Sequence, residues 1–263
     1  MAQAELVELS CECKFRGVLM PDVGTSYFTD LADGLQQAED GNLVSLTVST
    51  ARFSVSTALS DRMSVLIVVR NGEPEKLAAF APVIRRFAKK FGRPPFVVTH
   101  DDLRTSTDIF PIRYQNLQAD YEVLAGIDVL AELTFEAEHV RLRCEQELCN
   151  VLLRLRNRFI ADHDQPRALT KTLKQAAGPF LVALATAVEL KTGLTPENAD
   201  ATLAAAQKML NLDSATVAAV RTIAESGSIQ NNVNQSYAAF VATAEAAVRM
   251  VDKLDTSGGE STS

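Results

Sequence analysis

The residues best suited to do chemistry lie in one stretch, Val48 to Val69, "VSTARFSVSTALSDRMSVLIVV". An apolar segment ends in a run of small and hydroxyl residues, and a lone carboxylate, Asp61, precedes the next apolar segment. Hydroxyls and loop amides can face phosphate oxygens, and a carboxylate can hold a hard divalent cation, so this order suits a phosphate-handling site. Structural roles fit the same residues. Asp61 can turn or cap the chain, and Ser49, Thr50, Ser54, Ser56 and Thr57 can form the polar face and turn of a β-hairpin. Other reactive side chains are scattered. Cys11, Cys13, Cys144 and Cys149 form no CxxC pair, and His100, His139 and His163 lie far apart, so zinc has little support. Free thiols in a reducing cytoplasm are the simple reading. Arg85, Arg86, Lys89 and Lys90 form a basic patch that reads as the solvent face of a helix rather than as a phosphate site.

The elements that must position these residues differ between the two halves. The chain has 263 residues, 47% of them hydrophobic, enough for a sizeable core and two domains. Its net charge of −7 repels nucleic-acid phosphates, so no nucleic-acid partner is expected. There is no basic N-terminal region followed by an apolar run, and apolar segments fall short of about 18 residues. A soluble cytoplasmic protein without membrane insertion is therefore expected. In the first half, Val7, Leu9, Cys11, Cys13 and Phe15 alternate with polar residues, predicting a strand over 5–16. A helix is expected over 25–39 with Thr29 as cap. Strands are expected at Leu43–Ser49, Ser64–Val69, Phe96–Thr99 and, in more polar form, Phe110–Leu117. A helix from Pro74 to Phe91 carries Leu77, Phe80, Ile84, Phe87 and Phe91 as its buried stripe, with a kink expected at Pro82.

The second half reads as helices alone. Phe135–Asp162 is amphipathic, and Pro166–Lys191 is interrupted at Gly178-Pro179. Thr195-Pro196-Glu197 has the form of a helix start, Asp213 can cap a short helix to Glu225, and a last helix runs from Asn232 to Leu254. The expected organisation is an α/β domain over 1–126, a helical bundle over 127–256 and a disordered tail over 257–263. Alanine and valine on the last helices suit packing within or between chains, and a homodimer or a protein partner through the helical domain is expected.

Residues 42–126 resemble the nucleotidyltransferase superfamily, and within it a bacterial group in which such a domain precedes a helical one. The signature is an apolar strand, Gly-Ser, a loop with a basic residue, and Asp-x-Asp or Asp-x-Asn entering the next strand. "NLVSLTVSTARF" matches the strand and loop, with Val48 in place of the glycine, then Ser49, Thr50, Ala51 and Arg52. An ungapped count sets Asp61 at the first carboxylate and Met63 at the second, with Arg62 and Ser64 as the pair in a shifted register. "DIFPIRYQNLQADYEVLAG" (Asp108 to Gly126) resembles the third-strand segment and the helix after it, with Arg113 and Asn116 at positions that are acidic in relatives. "HVRLRCEQELCNVLLRLR" more loosely resembles the first helix of the C-terminal domain. The implied fold is α+β, a mixed-sheet nucleotidyltransferase-like domain followed by an all-α helical bundle. "RNRFIADH" also resembles the Arg-x4-6-His motif of HEPN ribonucleases, implying an RNA-cleaving role for Arg156 or Arg158 with His163.

The chemistry that the resemblance implies is demanding. Nucleotidyl transfer uses two Mg²⁺ ions to stabilise the attacking and leaving oxygens, held by carboxylates at i and i+2 of one strand and a third from a neighbour. Thioether sulfur is a poor ligand for Mg²⁺, and a Val48 side chain obstructs backbone approach to the triphosphate. The expectation is a degenerate site, serving as a scaffold or interaction module with no cofactor. If the site is active instead, Asp61 is catalytic, Ser49, Thr50 and Arg52 bind the nucleotide, and the cofactors are Mg²⁺ and a nucleoside triphosphate.

Overall fold

The computed structural model describes residues 25–38, 41–50, 63–226 and 232–254. The expected strand at 5–16 and the tail at 257–263 lie outside the described residues, as do Arg52, Asp61 and Arg62.

Four runs rich in β-branched and apolar residues pair into one mixed sheet: β1 (Leu43–Thr50), β2 (Met63–Val69), β3 (Phe96–Thr99) and β4 (Tyr121–Gly126). Their order is β3-β2-β1-β4. Strand β1 is antiparallel to both neighbours, whereas β2 and β3 run parallel. A parallel pair needs a long crossover. Helix α2 (Pro74–Phe91) supplies it. Proline opens α2 at its first turn, and Gly92, at φ 96°, closes it in the left-handed conformation.

The period of two sorts side chains between the sheet's faces. On one face Leu46, Val48, Met63, Val65 and Ile67 pack under α1 (Thr25–Ala38) and α2, through Phe28, Leu31, Leu35, Phe80 and Phe87. Thr29 lies inside α1 and is not its cap. The basic patch of α2 faces solvent, with Lys90 3.8 Å from Asp30 and over the Tyr27 ring. The other face carries Leu66 and Val68, covered by Leu103 of a short α3 (His100–Thr105), by Tyr114 and Leu117, and by Val129, Leu130 and Leu133.

The segment expected as the fourth strand is a helix, α4 (Pro111–Gln118), and the strand follows it where a helix was expected. The cause is burial on two sides. Ile112 enters the core of the helical half while Tyr114 and Leu117 enter the sheet's core, so the apolar positions do not make a single helical stripe. Pro111 at the first helical position pre-sets the backbone for the turn. In β4 a register shift opposite Leu46/Thr47 leaves Leu124 unopposed and breaks the alternation that marks a strand.

The helical half comprises α5 (Ala137–Asp162), α6 (Pro166–Thr192), α7 (Ala199–Leu210), α8 (Ser214–Ser226) and α9 (Val233–Asp252). Helix α6 is the central one, burying Leu169, Leu173, Phe180, Leu181 and Leu184. Its helical run continues through Pro179. By length and composition alone it could cross a membrane, but most of that span is buried inside the protein, as in a core helix. Asn198 rather than Thr195 caps α7, accepting from Ala201 N at 2.9 Å. Asp213 caps α8 as expected, accepting from Thr216 N at 2.8 Å. Tyr237 of α9 donates its hydroxyl to the Leu155 carbonyl at 2.7 Å, tying the last helix to α5. Cys144 is buried and donates to the Ala183 carbonyl, and loss of water pushes its thiol up to about 12. That thiol is a packing group.

Candidate functional site

Strand alternation places the functional face. Leu66 and Val68 point away from α1 and α2, so Ser64, two residues earlier on β2, points the same way. Its cross-strand partner on β1 is Ser49, and Thr50 pairs with Met63. Ser64 and Ser49 therefore face a cleft between the end of the sheet and helix α6, with a volume of about 490 Å³. That volume lies within the range of roughly 300–1,000 Å³ usual for small-molecule pockets. Ser49 is 2% exposed. Met63 is 4% exposed and turns into the opposite core, so the position of β2 that faces the cleft is Ser64. Met63, set by the ungapped count at the second carboxylate position, thus packs in the core, and Ser64 of the shifted register lines the cleft.

The cleft is lined by cations. Arg93 sits in the turn between α2 and β3, after Gly92 ends the helix and before Pro94-Pro95. Its guanidinium donates to the Met63 carbonyl and, at 3.0 Å, to Ser64 Oγ. Arg113 projects from α4, and its guanidinium lies 3.5 Å from the Phe96 ring centre in a cation–π contact. Loss of water beside that ring lowers its pKa, Tyr114 acts in the opposite sense, and the Arg93 charge lowers it further. Asn116, one turn on from Arg113, faces the same space, while Leu117, Pro94 and Val182 give it apolar walls. None of the described lining residues is a carboxylate.

A second cavity, of about 640 Å³, adjoins the first at Thr50. Its sign is opposite, because Asp120, Glu189 and Glu197 line it. Thr50 is fixed by a bond from its amide to the Asp120 carbonyl at 2.9 Å. Thr195 and Pro196, expected to start a helix, belong to this wall instead. The two cavities thus favour an anion on one side of Thr50 and a cation on the other.

Of the residues the sequence singled out, Ser49 and Thr50 meet at the cleft, and Asp61 and Arg52 lie outside the described residues. Arg113 and Asn116 line the cleft from a helix, although they were assigned to a strand. Arg93 was missed. Its signal was the sequence Gly-Arg-Pro-Pro, a rigid turn bearing one charge between a helix and a strand. The arginine and histidine residues named for RNA cleavage each lie in a surface pair with a carboxylate. Arg156 bonds Glu245 at 2.7 Å, Arg158 lies 4.0 Å from Asp162, and His163 lies 3.0 Å from Asp164. Among the described residues, no group of three or more His, Cys, Asp or Glu could hold a metal ion.

Comparison of the fold finds a solved relative in shape. The crystal structure of spectinomycin adenyltransferase AAD(9) from Enterococcus faecalis, with ATP and spectinomycin, superposes with a TM-score of 0.52 at 11% identity. The match covers 87% of this chain and 99% of that one. No protein-family model matches the sequence, and neither does any curated protein. The fold is accordingly nucleotidyltransferase-like, a mixed four-stranded sheet with a helical C-terminal part.

Proposed function

We propose that this chain is a catalytically degenerate nucleotidyltransferase-fold protein that acts as a scaffold or interaction module. One observation carries the reading: the cleft-facing start of β2 offers Ser64 bonded to Arg93, with Arg113 opposite. Two-metal transfer requires hard anionic oxygens at that place, in near-octahedral array. The described lining offers hydroxyl, amide and guanidinium groups and no carboxylate, so these residues do not supply the hard anionic ligands that Mg²⁺ needs. The sequence adds a second support. Between Thr50 and Met63 it holds a single carboxylate, Asp61. The solved relative binds ATP and spectinomycin, and Mg²⁺ with a nucleoside triphosphate would be the ligands of this chain only if it retained transfer.

Incubation of the purified chain with α-labelled ATP, GTP, CTP or UTP in Mg²⁺ or Mn²⁺ tests the reading. No label should pass to the protein itself, to spectinomycin or to related amino sugars, and Asp61→Ala should behave as the parent does. Label transfer that disappears in Asp61→Ala would restore an active nucleotidyltransferase.

A further inference from the structure

We infer that the outward face of α5 is a docking surface for a second copy of this chain, the two α5 helices pairing antiparallel about a two-fold axis midway between Leu142 and Ile160. Leu142, Leu153 and Ile160 lie eleven and seven residues apart, spacings that return to one side of a helix. They are 49%, 54% and 77% exposed. Cys149, seven residues after Leu142, lies on the same line and is half-buried. The core takes the other side of α5, through Cys144, Leu148, Val151 and Leu155. Single exposed leucines are ordinary on a surface, whereas a row at spacings of seven and four is the seam of a helix pair. Helix α9, whose alanines and valines suit packing within or between chains, spends Phe240, Ala244, Ala247 and Val251 within this one.

Charge selects the occupant. Residues 136–149 hold four glutamates and two arginines, whereas residues 150–162 hold three arginines and one aspartate. A parallel copy would set like halves together. An antiparallel copy sets each acidic half beside a basic one, and the two-fold axis makes both contacts at once. In that register Leu142 meets Ile160 and Cys149 meets Leu153, while Glu145 falls beside Arg156. Each of these two charges already has an intrachain partner, Arg141 for Glu145 and Glu245 for Arg156, so the second copy extends the pairs into a network. An anionic surface would meet the acidic half as well and gain nothing from this order of charges. Helix α5 has 26 residues, so a face about 39 Å long and about 10 Å wide offers on the order of 400 Å² per copy. Exposed Phe110, its ring 5.8 Å from the Arg143 guanidinium, extends the apolar surface. The total, about 1,000 Å², is at the low end of specific interfaces, so the dimer is reversible with a Kd in the micromolar range. The inference names a partner for the interaction-module reading and rests on α5, not on the state of the cleft.

Sedimentation equilibrium of the full chain tests this. The chain should pass from monomer to dimer between about 1 and 100 µM. Leu153→Asp combined with Ile160→Asp should weaken association at least about tenfold, with the circular-dichroism melt of the dilute protein unchanged. Leu194→Asp, at an exposed leucine in the loop after α6, should leave association as it was. Glu145→Arg and Arg156→Glu should each weaken it by about threefold. Together they should restore it, because each new arginine then meets a new glutamate. A chain that stays monomeric at about 100 µM overturns the inference, and so does association that the changes at Leu153 and Ile160 leave intact. A lowered melt on those changes in a chain that is monomeric throughout would assign the stripe to another segment of the same chain, and overturns it too. Failure of the combined charge exchange to recover affinity overturns the antiparallel pairing. The degenerate reading stands or falls separately, on label transfer.

Discussion

Met63→Asp is expected to destabilise the protein by about 4 kcal/mol or more, the range reached when an unpaired charge enters a core. Met63 is 4% exposed and packs with Val65, Ile67 and the helices α1 and α2. An aspartate there would lose that apolar packing and leave a carboxylate without a partner. In a chain of this length the melting temperature should fall by roughly 8–16 °C. Ser64→Asp is the informative control. Its side chain faces the cleft, where Arg93 already lies within hydrogen-bond distance of Ser64 Oγ, so a carboxylate gains a charge-assisted bond. The change should cost less than about 1 kcal/mol. A Met63→Asp protein that melts with the parent, or that gains metal-dependent transfer, would mean that Met63 faces the cleft after all.

The second large effect is expected at Gly126. Its φ is +82°, and a Cβ built there would lie 2.0 Å from the Val44 carbonyl oxygen and 2.8 Å from its carbon. Both are backbone atoms of the neighbouring strand and cannot rotate away. Gly126→Ala therefore combines a left-handed conformation with a backbone clash, and should cost about 3 kcal/mol or more in urea unfolding. It should also disturb the cleft, because the ladder that begins at Ser45 and Gly126 ends at Ser49 and Tyr121. Gly193→Ala separates the two causes. That residue has φ +69° with nothing within 4 Å of an added Cβ, so only the conformational cost, about 1–2 kcal/mol, should remain. Equal losses at the two glycines would contradict the close approach of β4 to β1.

The sequence carried the elements with a single buried face. Strands β1, β2 and β3 were legible because each is an apolar run bounded by turn residues, and α2 because Phe80, Phe87 and Phe91 recur at helical spacing. The helices of the second half followed from the same periodicity and from Asp213 as a cap. Legibility ended at residues 110–126, where burial is shared between two cores. Helix α4 splits Ile112 from Tyr114 and Leu117, and β4 is broken by a bulge, so neither shows a clean period. The resemblance to nucleotidyltransferases pointed to the right fold, and its ungapped count set at a carboxylate position Met63, which the structure buries in the core. A one-residue difference in register reverses the face of every strand residue, and an ungapped count cannot resolve that. The cationic character of the cleft was beyond local reading. Arg93 and Arg113 are twenty positions apart and come together only when α4 folds over the sheet.

Protein-bound Mn²⁺, measured by electron paramagnetic resonance with a non-hydrolysable nucleoside triphosphate present, tests the central claim most directly. The account predicts that the free-ion signal is depleted only as far as the nucleotide alone depletes it, with no further loss on adding the protein or its Asp61→Ala variant. Stoichiometric Mn²⁺ uptake by the parent protein, abolished in Asp61→Ala, would contradict it.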